Sequence, residues 1–271
     1  MEGTRGLPVS TEIPDREAFL AQLACAREAA FLLDYDGTLA PFCVQRHRAL
    51  PYPGVCTLLK RIMEQGATRV VMITGRPAGE VVRLLGIVPY PEVWGSHGLQ
   101  RLWPDGTCDL IVADTEARRV LMEGAAWLES LGLRGLAEFK PGSIAVHWRG
   151  LEEAVAADLR NKVLLRWMPL AFRPNMALLQ FDGGLELRLA ERNKAGAVQT
   201  VLAEMPADAA VAYLGDDESD EEAFAAVQPR GLAVLSRTEW RPTTASVWIK
   251  PPDGLLDFLS RWLRARRTGR A

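Results

Sequence analysis

The sequence predicts an α/β chain in which a parallel-sheet core is interrupted by a smaller α+β unit. Three observations carry this reading. Ala29 to Leu33, Arg69 to Thr74 and Ala210 to Leu214 are short, largely apolar runs without polar alternation, the pattern of strands buried on both faces of a parallel sheet. The first two are joined by a helical stretch with a short crossover, which implies a parallel pair. From about Asp114 a block of roughly 80 residues carries helices and strands of its own before the core pattern resumes at Asn193.

Taken in order, Met1 to Pro14 is polar, carries Gly and Pro, and reads as a loose lead-in. Asp15 to Glu28 has Phe19, Leu20, Leu23 and Ala26 at helical spacing and predicts an amphipathic helix before the first strand. Ala40 to Tyr52 reads as a loop. Pro53-Gly54 opens a helix that runs through Gln65 and closes at Gly66. After the strand ending at Thr74, Gly75-Arg76-Pro77 precedes a further helix. Glu92 to Gly95 is a third strand, followed by a hairpin of Leu99 to Trp103 and Cys108 to Val112 around Pro104-Asp105-Gly106.

The inserted block reads as a helix (Thr115 to Leu131), strands (Ala137 to Lys140, Ser143 to Trp148), a helix (Leu151 to Arg166), and strands near Ala171 to Arg173, Met176 to Phe181 and Leu185 to Leu189. Asp182-Gly183-Gly184 is a hairpin signal between the last two. The core then resumes with a helix from Asn193-Lys194 to Glu204, the strand Ala210 to Leu214, and a C-terminal helix from Asp253. Arg261, Arg264, Arg266 and Arg267 in that last helix read as a solvated tail.

Composition narrows the function classes. A chain of 271 residues with 48% hydrophobic and 24% charged residues suits a globular protein with room for a second unit. A net charge of −2 gives no basic footprint for nucleic acid or an anionic membrane, so neither is expected as a partner. No apolar run approaches the roughly 18 residues of a spanning helix and no basic segment leads into an apolar one, so the expected compartment is the cytoplasm. Cys25, Cys43, Cys56 and Cys108 form no Cys-x-x-Cys pair, which fits reduced thiols, and His47, His97 and His147 are scattered.

The chemistry gathers at the strand ends. Asp34 and Asp36 follow the first strand beside a turn at Gly37, at the carboxyl rim where open α/β sheets bind ligands. A lone Asp-x-Asp is most often a solvated turn. An EF-hand loop is excluded because Thr38 and Leu39 stand where that loop needs an acid or Asn and then Gly. Thr74, at the end of the second strand and before a helix, offers a hydroxyl to a phosphate oxygen or caps that helix. Asp216 to Glu222 packs three aspartates and three glutamates into seven residues, which repel one another unless a cation or basic group neutralises them. The helix dipole accounts for Asp220 and Glu221, and less well for Asp216-Asp217 at a strand tip.

Taken together, Asp34-Tyr-Asp36-Gly-Thr-Leu, Thr74-Gly-Arg76, Lys194 and Gly215-Asp216-Asp217-Glu-Ser-Asp220-Glu-Glu-Ala-Phe resemble, in order, the four motifs of the haloacid dehalogenase superfamily. The acidic string, Gly95-Ser96-His97-Gly98, and Glu138-Phe-Lys140-Pro-Gly-Ser143-Ile-Ala-Val-His147-Trp-Arg149 are similar to the trehalose-6-phosphate phosphatases, with Trp148 where that family usually has Tyr. The resemblance covers most of residues 29 to 258. It departs at Arg188-Leu189, usually Arg-Pro, and at Lys194-Ala195, usually Lys-Gly.

The resemblance implies a haloacid-dehalogenase-like Rossmannoid core (1–106 and 190–271) with a C2-type cap (107–189). Roughly 30 residues separate the Asp pair from the second strand against roughly 120 between Thr74 and Lys194, so the second gap carries the cap that closes over the sugar. It implies Asp34 as nucleophile, Asp36 as general acid and base, and Thr74 and Lys194 on the phosphoryl oxygens. It implies Mg²⁺ held by Asp34, Asp36 and Asp216, with Asp217 and Asp220 behind them. Arg76, Ser96, His97, Glu138, Lys140, Ser143, His147, Arg149 and Glu186 are the implied substrate-binding residues, and the substrate is a small sugar phosphate, trehalose 6-phosphate. A phosphatase for sucrose phosphate or a mannosyl- or glucosyl-3-phosphoglycerate is the enzymatic alternative. A catalytically degenerate regulatory domain is the non-enzymatic one.

Overall fold

The computed structural model describes residues 14–110, 113–181, 183–190 and 193–268. Of the lead-in expected over Met1 to Pro14 all but Pro14 lies outside them, as do positions 111 and 112 of the expected strand Cys108 to Val112 and Asp182 of the hairpin signal. The elements are α1 (Pro14–Cys25), β1 (Ala29–Leu33), α2 (Val55–Glu64), β2 (Thr68–Ile73), α3 (Ala78–Leu85), β3 (Glu92–Gly95), β4 (Gln100–Leu102) and β5 (Cys108–Leu110). They continue as α4 (Thr115–Ser130), β6 (Ala137–Lys140), β7 (Ser143–His147), α5 (Glu153–Ala171), β8 (Met176–Phe181) and β9 (Gly184–Leu189). The chain then forms α6 (Lys194–Glu204), β10 (Ala210–Gly215), α7 (Glu221–Val227), β11 (Gly231–Ser236), β12 (Val247–Ile249) and α8 (Asp253–Thr268).

An eight-stranded sheet runs in the order β12-β11-β10-β1-β2-β3-β4-β5. Its strands are parallel from β12 to β3 and antiparallel at β4 and β5. Side chains alternate across a strand, so β1 feeds two cores. Phe31 and Leu33 join a cluster with α1, α2, α3 and α8, whereas Ala30 and Leu32 pack with α6 and α7 on the opposite face. Both faces are thereby covered, which is why β1 is apolar throughout and β10 is apolar but for the Tyr213 hydroxyl. Phe31 stacks on Trp262 of α8 at 4.2 Å and 7°, a contact worth about 0.5–1.5 kcal/mol beyond its area.

The second sheet, β6-β7-β9-β8, is antiparallel. Its core is made by Val120 and Leu128 of α4, Leu159, Val163 and Trp167 of α5, Ile144 and Val146 of β7, and Leu185 and Leu187 of β9. Helix α4 opens at Asp114, whose carboxylate accepts from the Ala117 N–H at 2.8 Å, a cap worth about 1 kcal/mol.

Two expectations change, and a third is refined. Where a strand is expected near Ala171 to Arg173, α5 instead continues through Pro169 to Ala171, and Phe172 and Arg173 form the turn after it. Leu159, Val163, Trp167 and Leu170 fall on one buried face at helical spacing, and that packing outweighs the backbone hydrogen bond the proline removes. Arg266 is no solvated side chain: it is buried and donates to the carbonyls of Leu23 at 2.8 Å and Ala67 at 2.9 Å, and to those of Ala26 and Arg27, binding α8 to the ends of α1 and α2. Strand β5 pairs with β4 in the larger sheet, so we propose the join between core and insert after Leu110 rather than at 106/107. Among the described residues no helix is long and apolar enough to cross a membrane.

Candidate active site

The two acidic strings meet because β1 and β10 are neighbours in register. The Asp34 N–H donates to the Leu214 carbonyl at 2.9 Å, carrying the pairing one residue past the strand. Gly37 turns the chain at φ +76°, and a Cβ there would lie 2.1 Å from Oδ2 of Asp216, so only glycine lets the two tips close on each other.

Lys194 is aimed into this junction by the start of α6, where Asn193 accepts from the Gly196 N–H at 2.9 Å. Its ammonium lies 2.9 Å from Asp34 Oδ1 and 2.7 Å from Asp220 Oδ1. Burial disfavours that charge, but Asp220 and Asp34 more than reverse it and raise the pKa. Asp220 also accepts from the Tyr213 hydroxyl at 2.5 Å and from the backbone N–H groups of Asp216 and Asp217, both at 3.1 Å. Burial works against its carboxylate, yet Lys194, Tyr213 and the Asp217 N–H hold its pKa below the ordinary value.

Asp216 is the reverse case. It is 1% exposed, neither of its carboxylate oxygens accepts a hydrogen bond, and the Arg237 guanidinium comes no nearer than 3.9 Å. Burial, then the charges of Asp220 and Asp34, raise its pKa well above the ordinary range. Burial likewise pushes Asp34 up to about 7, with Lys194 opposing and Asp220 adding to the rise. Oxygens of Asp34, Asp216 and Asp220 lie within 4.8 Å of one another. A hard divalent cation fits this donor set: the orphaned oxygens of Asp216 face the Asp34 carboxylate, while Asp220 is already neutralised by Lys194.

Thr74 follows β2 with its N–H on the Trp94 carbonyl at 2.9 Å, and its Oγ1 accepts from the Arg76 N–H at 3.1 Å. The Arg76 side chain forms a two-pronged pair with Asp36, both contacts at 2.6 Å, and also donates to Glu80 and, at 3.0 Å, to the Arg46 carbonyl.

Above these groups stands the face of the second sheet. Lys140 reaches across to the Gly75 carbonyl at 3.0 Å and pairs with Glu186 at 2.9 Å. His97 meets the other oxygen of Glu186 at 2.8 Å, and Ser143 donates to Glu186 at 2.5 Å. Burial would raise the Glu186 pKa, but Lys140, His97 and Ser143 hold it well below the ordinary range, while burial lowers those of Lys140 and His97. Glu138 lies 3.1 Å from His147 and pairs with Arg46, and the Arg149 guanidinium sits 4.2 Å from the Phe42 ring. The cavity enclosed between the sheets is about 500 Å³, within the roughly 300–1,000 Å³ of small-molecule sites.

Asp34, Asp36, Thr74, Arg76, His97, Glu138, Lys140, His147, Arg149, Glu186, Lys194, Asp216 and Asp217 all line that cavity. Asp220 is fully buried behind it. Three implied substrate contacts are different in the structure. Arg76 lines the cavity, but its guanidinium is occupied by Asp36, Glu80 and the Arg46 carbonyl. Ser96 and Ser143 are buried behind the wall, Ser143 on Glu186 and Ser96 in a left-handed turn at φ +50°. Tyr213, Arg46, Leu179 and Phe181 are site residues that sequence reasoning does not find. Tyr213 looks like any apolar strand residue, and Arg46 sits in a loop without a motif.

A family model described as trehalose-phosphatase matches residues 32–247. The trehalose-phosphate phosphatase of Mycobacterium marinum is 30% identical over 267 residues, covering 93% of this chain and 66% of that protein. That of Mycobacterium tuberculosis is 29% identical over 272 residues, covering 95% and 67%. The chain thus spans about two thirds of the length of these relatives. Among solved structures, the C-terminal domain of the Candida albicans trehalose-6-phosphate phosphatase aligns with a TM-score of 0.82 at 17% identity, covering 95% of this chain and 99% of that one. The Aspergillus fumigatus trehalose-6-phosphate phosphatase aligns at 0.67 with 24% identity, covering 94% and 100%. At these identities the two structures establish the shared fold.

Proposed function

The chain belongs to the trehalose-phosphatase family, and from that premise we propose that it hydrolyses trehalose 6-phosphate to trehalose and phosphate through an aspartyl-phosphate. The observation that carries the reading is the Asp34 carboxylate with Lys194 at 2.9 Å and the unpartnered oxygens of Asp216 opposite, beneath a wall of polar side chains from the second sheet.

In this reading Asp34 attacks phosphorus and the phosphorus–oxygen bond to the sugar breaks. Asp36 gives a proton to the departing sugar oxygen, then takes one from the water that attacks the aspartyl-phosphate and releases phosphate. Lys194, held charged, and the Thr74 hydroxyl contact the phosphoryl oxygens as negative charge builds on them. Asp220 and Tyr213 keep Lys194 in place. The Asp34 and Asp216 carboxylates, with the Asp36 backbone carbonyl, would hold Mg²⁺. That ion supplies positive charge against the repulsion between carboxylate and phosphate dianion, about 4 kcal/mol per charge pair at ~4 Å and an effective dielectric near 20.

The sugar faces Glu138, Lys140, His147, Arg149 and Glu186. These groups offer donors and acceptors to hydroxyls, and a poorly matched sugar leaves them unpaired. The test is phosphate release from trehalose 6-phosphate, sucrose 6-phosphate, glucose 6-phosphate and a glycosyl 3-phosphoglycerate, with Mg²⁺ and then with EDTA. Preference for trehalose 6-phosphate that disappears with EDTA supports the reading. Preference for another of these esters reassigns the substrate, and no metal-dependent release from any of them overturns the reading.

A further inference from the structure

Arg46 stands outside every motif, yet it touches both halves of the cavity. It begins a short 3₁₀ turn, Arg46–Arg48, in the loop between the Asp pair and α2. Its backbone carbonyl accepts from Nη1 of Arg76 at 3.0 Å, and Arg76 grips both oxygens of Asp36 at 2.6 Å. Its side chain runs the other way, pairing with Glu138 on β6 and lying 3.5 Å from Nε2 of His147 on β7. Four residues earlier, Phe42 lies under the Arg149 guanidinium, so the loop is fastened to the cap at two points.

We propose that Arg46 is a positioning residue that ties the sugar-facing strands of the cap to the carboxyl group of Asp36, and that it acts through Arg76. The inference rests on the phosphatase reading above. A guanidinium fork with two bonds to Asp36 sets both the rotation of the carboxyl group and its distance from the cavity. When Asp36 takes up a proton, one of those bonds yields and the other keeps the orientation. The fork is itself a long, flexible side chain, and it stays in place only while its far nitrogen is held. Arg46 and Glu80 hold it. The Arg46 carbonyl is steady because the side chain of the same residue is pinned to Glu138, which also accepts from Nε2 of His147 at 3.1 Å. With the cap in this position the group that protonates the leaving oxygen is therefore already aligned.

The role separates from cap packing or sugar binding through its dependence on the leaving group. An acid matters most for a poor leaving group and least for one that departs as a stable anion. Arg46→Ala and Arg46→Lys are compared with the unsubstituted protein on a series of small aryl and alkyl phosphates without sugar hydroxyls. Loss of orientation forfeits part of the 10²–10⁴-fold that a general acid supplies, so kcat on alkyl phosphates is expected to fall about tenfold in Arg46→Ala. The loss shrinks steadily as the leaving group improves toward p-nitrophenolate. Arg46→Lys, which keeps a cation for Glu138, is expected to recover most of the alkyl phosphate rate. A loss in Arg46→Ala that is uniform across the series, or confined to KM, overturns the proposal. So does a failure of Arg46→Lys to recover although it melts like the unsubstituted protein. Trehalose 6-phosphate is measured alongside: if the unsubstituted protein turns over neither it nor any member of the series, the phosphatase reading falls and takes this proposal with it, whereas a trehalose 6-phosphate rate unchanged in Arg46→Ala overturns this proposal alone.

Discussion

The ammonium of Lys194 stands 2.9 Å from Oδ1 of Asp34, so the group assigned as nucleophile is fixed by a charge contact before any substrate arrives. Asp34→Asn keeps the shape and removes the charge and attacking lone pair, while Lys194 retains Asp220 as its partner. We expect a folded protein with turnover reduced by about 10⁴-fold or more, as for other covalent nucleophiles. Phosphate release and near-ultraviolet circular dichroism check this together. More than about one part in a hundred of the original rate in a folded variant removes Asp34 from that role.

Asp216 gives a prediction about metal. A buried carboxylate without hydrogen-bond partners gains more from a cation than any other acid in the cluster. Mg²⁺ is expected to raise Tm of the unsubstituted protein by several degrees, corresponding to about 2.7 kcal/mol at a hundredfold excess over Kd. Asp216→Asn is expected to abolish both the shift and turnover. A melting temperature indifferent to Mg²⁺, or a full shift in Asp216→Asn, contradicts the assignment.

His147 gives a pH dependence whose sign can be worked out. Burial, and then the charges of Arg46 and Lys140, push its pKa from 6.5 down to about 4. Between those values the unfolded chain binds a proton that the folded protein does not, so stability is full above pH 6.5 and falls as pH drops toward 4. Asp34 contributes in the opposite direction across its own range, so the useful quantity is a difference. His147→Gln is expected to lose less stability than the unsubstituted protein between pH 6.5 and 4. Parallel melting curves for the two across that range count against a neutral, half-buried His147.

The strand tips are legible in the sequence because their constraint is local. Ala29–Leu33 is apolar throughout and Ala210–Gly215 is apolar but for the Tyr213 hydroxyl, since both faces are covered, and the acids begin where the cover ends. Lys194 is legible only by resemblance, because its meaning depends on Asp34 and Asp220, which other strands and turns bring to it. Long-range partnership hides the rest. Tyr213 carries the one polar tip in an apolar strand, and Arg266 reads as a tail residue until the ends of α1 and α2 are folded against it. Arg76 is the instructive case: its motif implies substrate contact, whereas the geometry directs it to Asp36, a pairing that requires the Asp turn and the β2–α3 turn to face each other. The end of α5 was hidden for another reason, since a proline outweighs periodicity in a local reading and the burial of Trp167 and Leu170 does not enter it.

Substrate selectivity rests on the second sheet, and Lys140 is where it can be tested. The motifs around Asp34 meet only a phosphoryl group, so preference among sugar phosphates must come from side chains farther up the cavity. Lys140 is almost fully buried there, with one of its three donors on the Gly75 carbonyl and one on Glu186. The third, whose remaining ion partner is Glu138 at 3.7 Å, is the one open to a sugar hydroxyl. Removing the ammonium also strips Glu186 of its nearest cation, leaving His97 and Ser143 to carry a buried charge, and breaking a buried pair costs about 3–5 kcal/mol. Lys140→Ala is therefore expected to melt at a lower temperature and to lose most turnover of trehalose 6-phosphate. At a temperature where it remains folded, it should keep most of its activity on p-nitrophenyl phosphate, which does not reach the upper cavity. Lys140→Ala/Glu186→Gln removes the unpaired charge and is expected to regain stability without regaining sugar turnover. Stability and sugar turnover returning together in the double variant would show that Lys140 serves the cap's packing. Equal losses on both substrates in a folded single variant would place Lys140 with the phosphoryl chemistry instead.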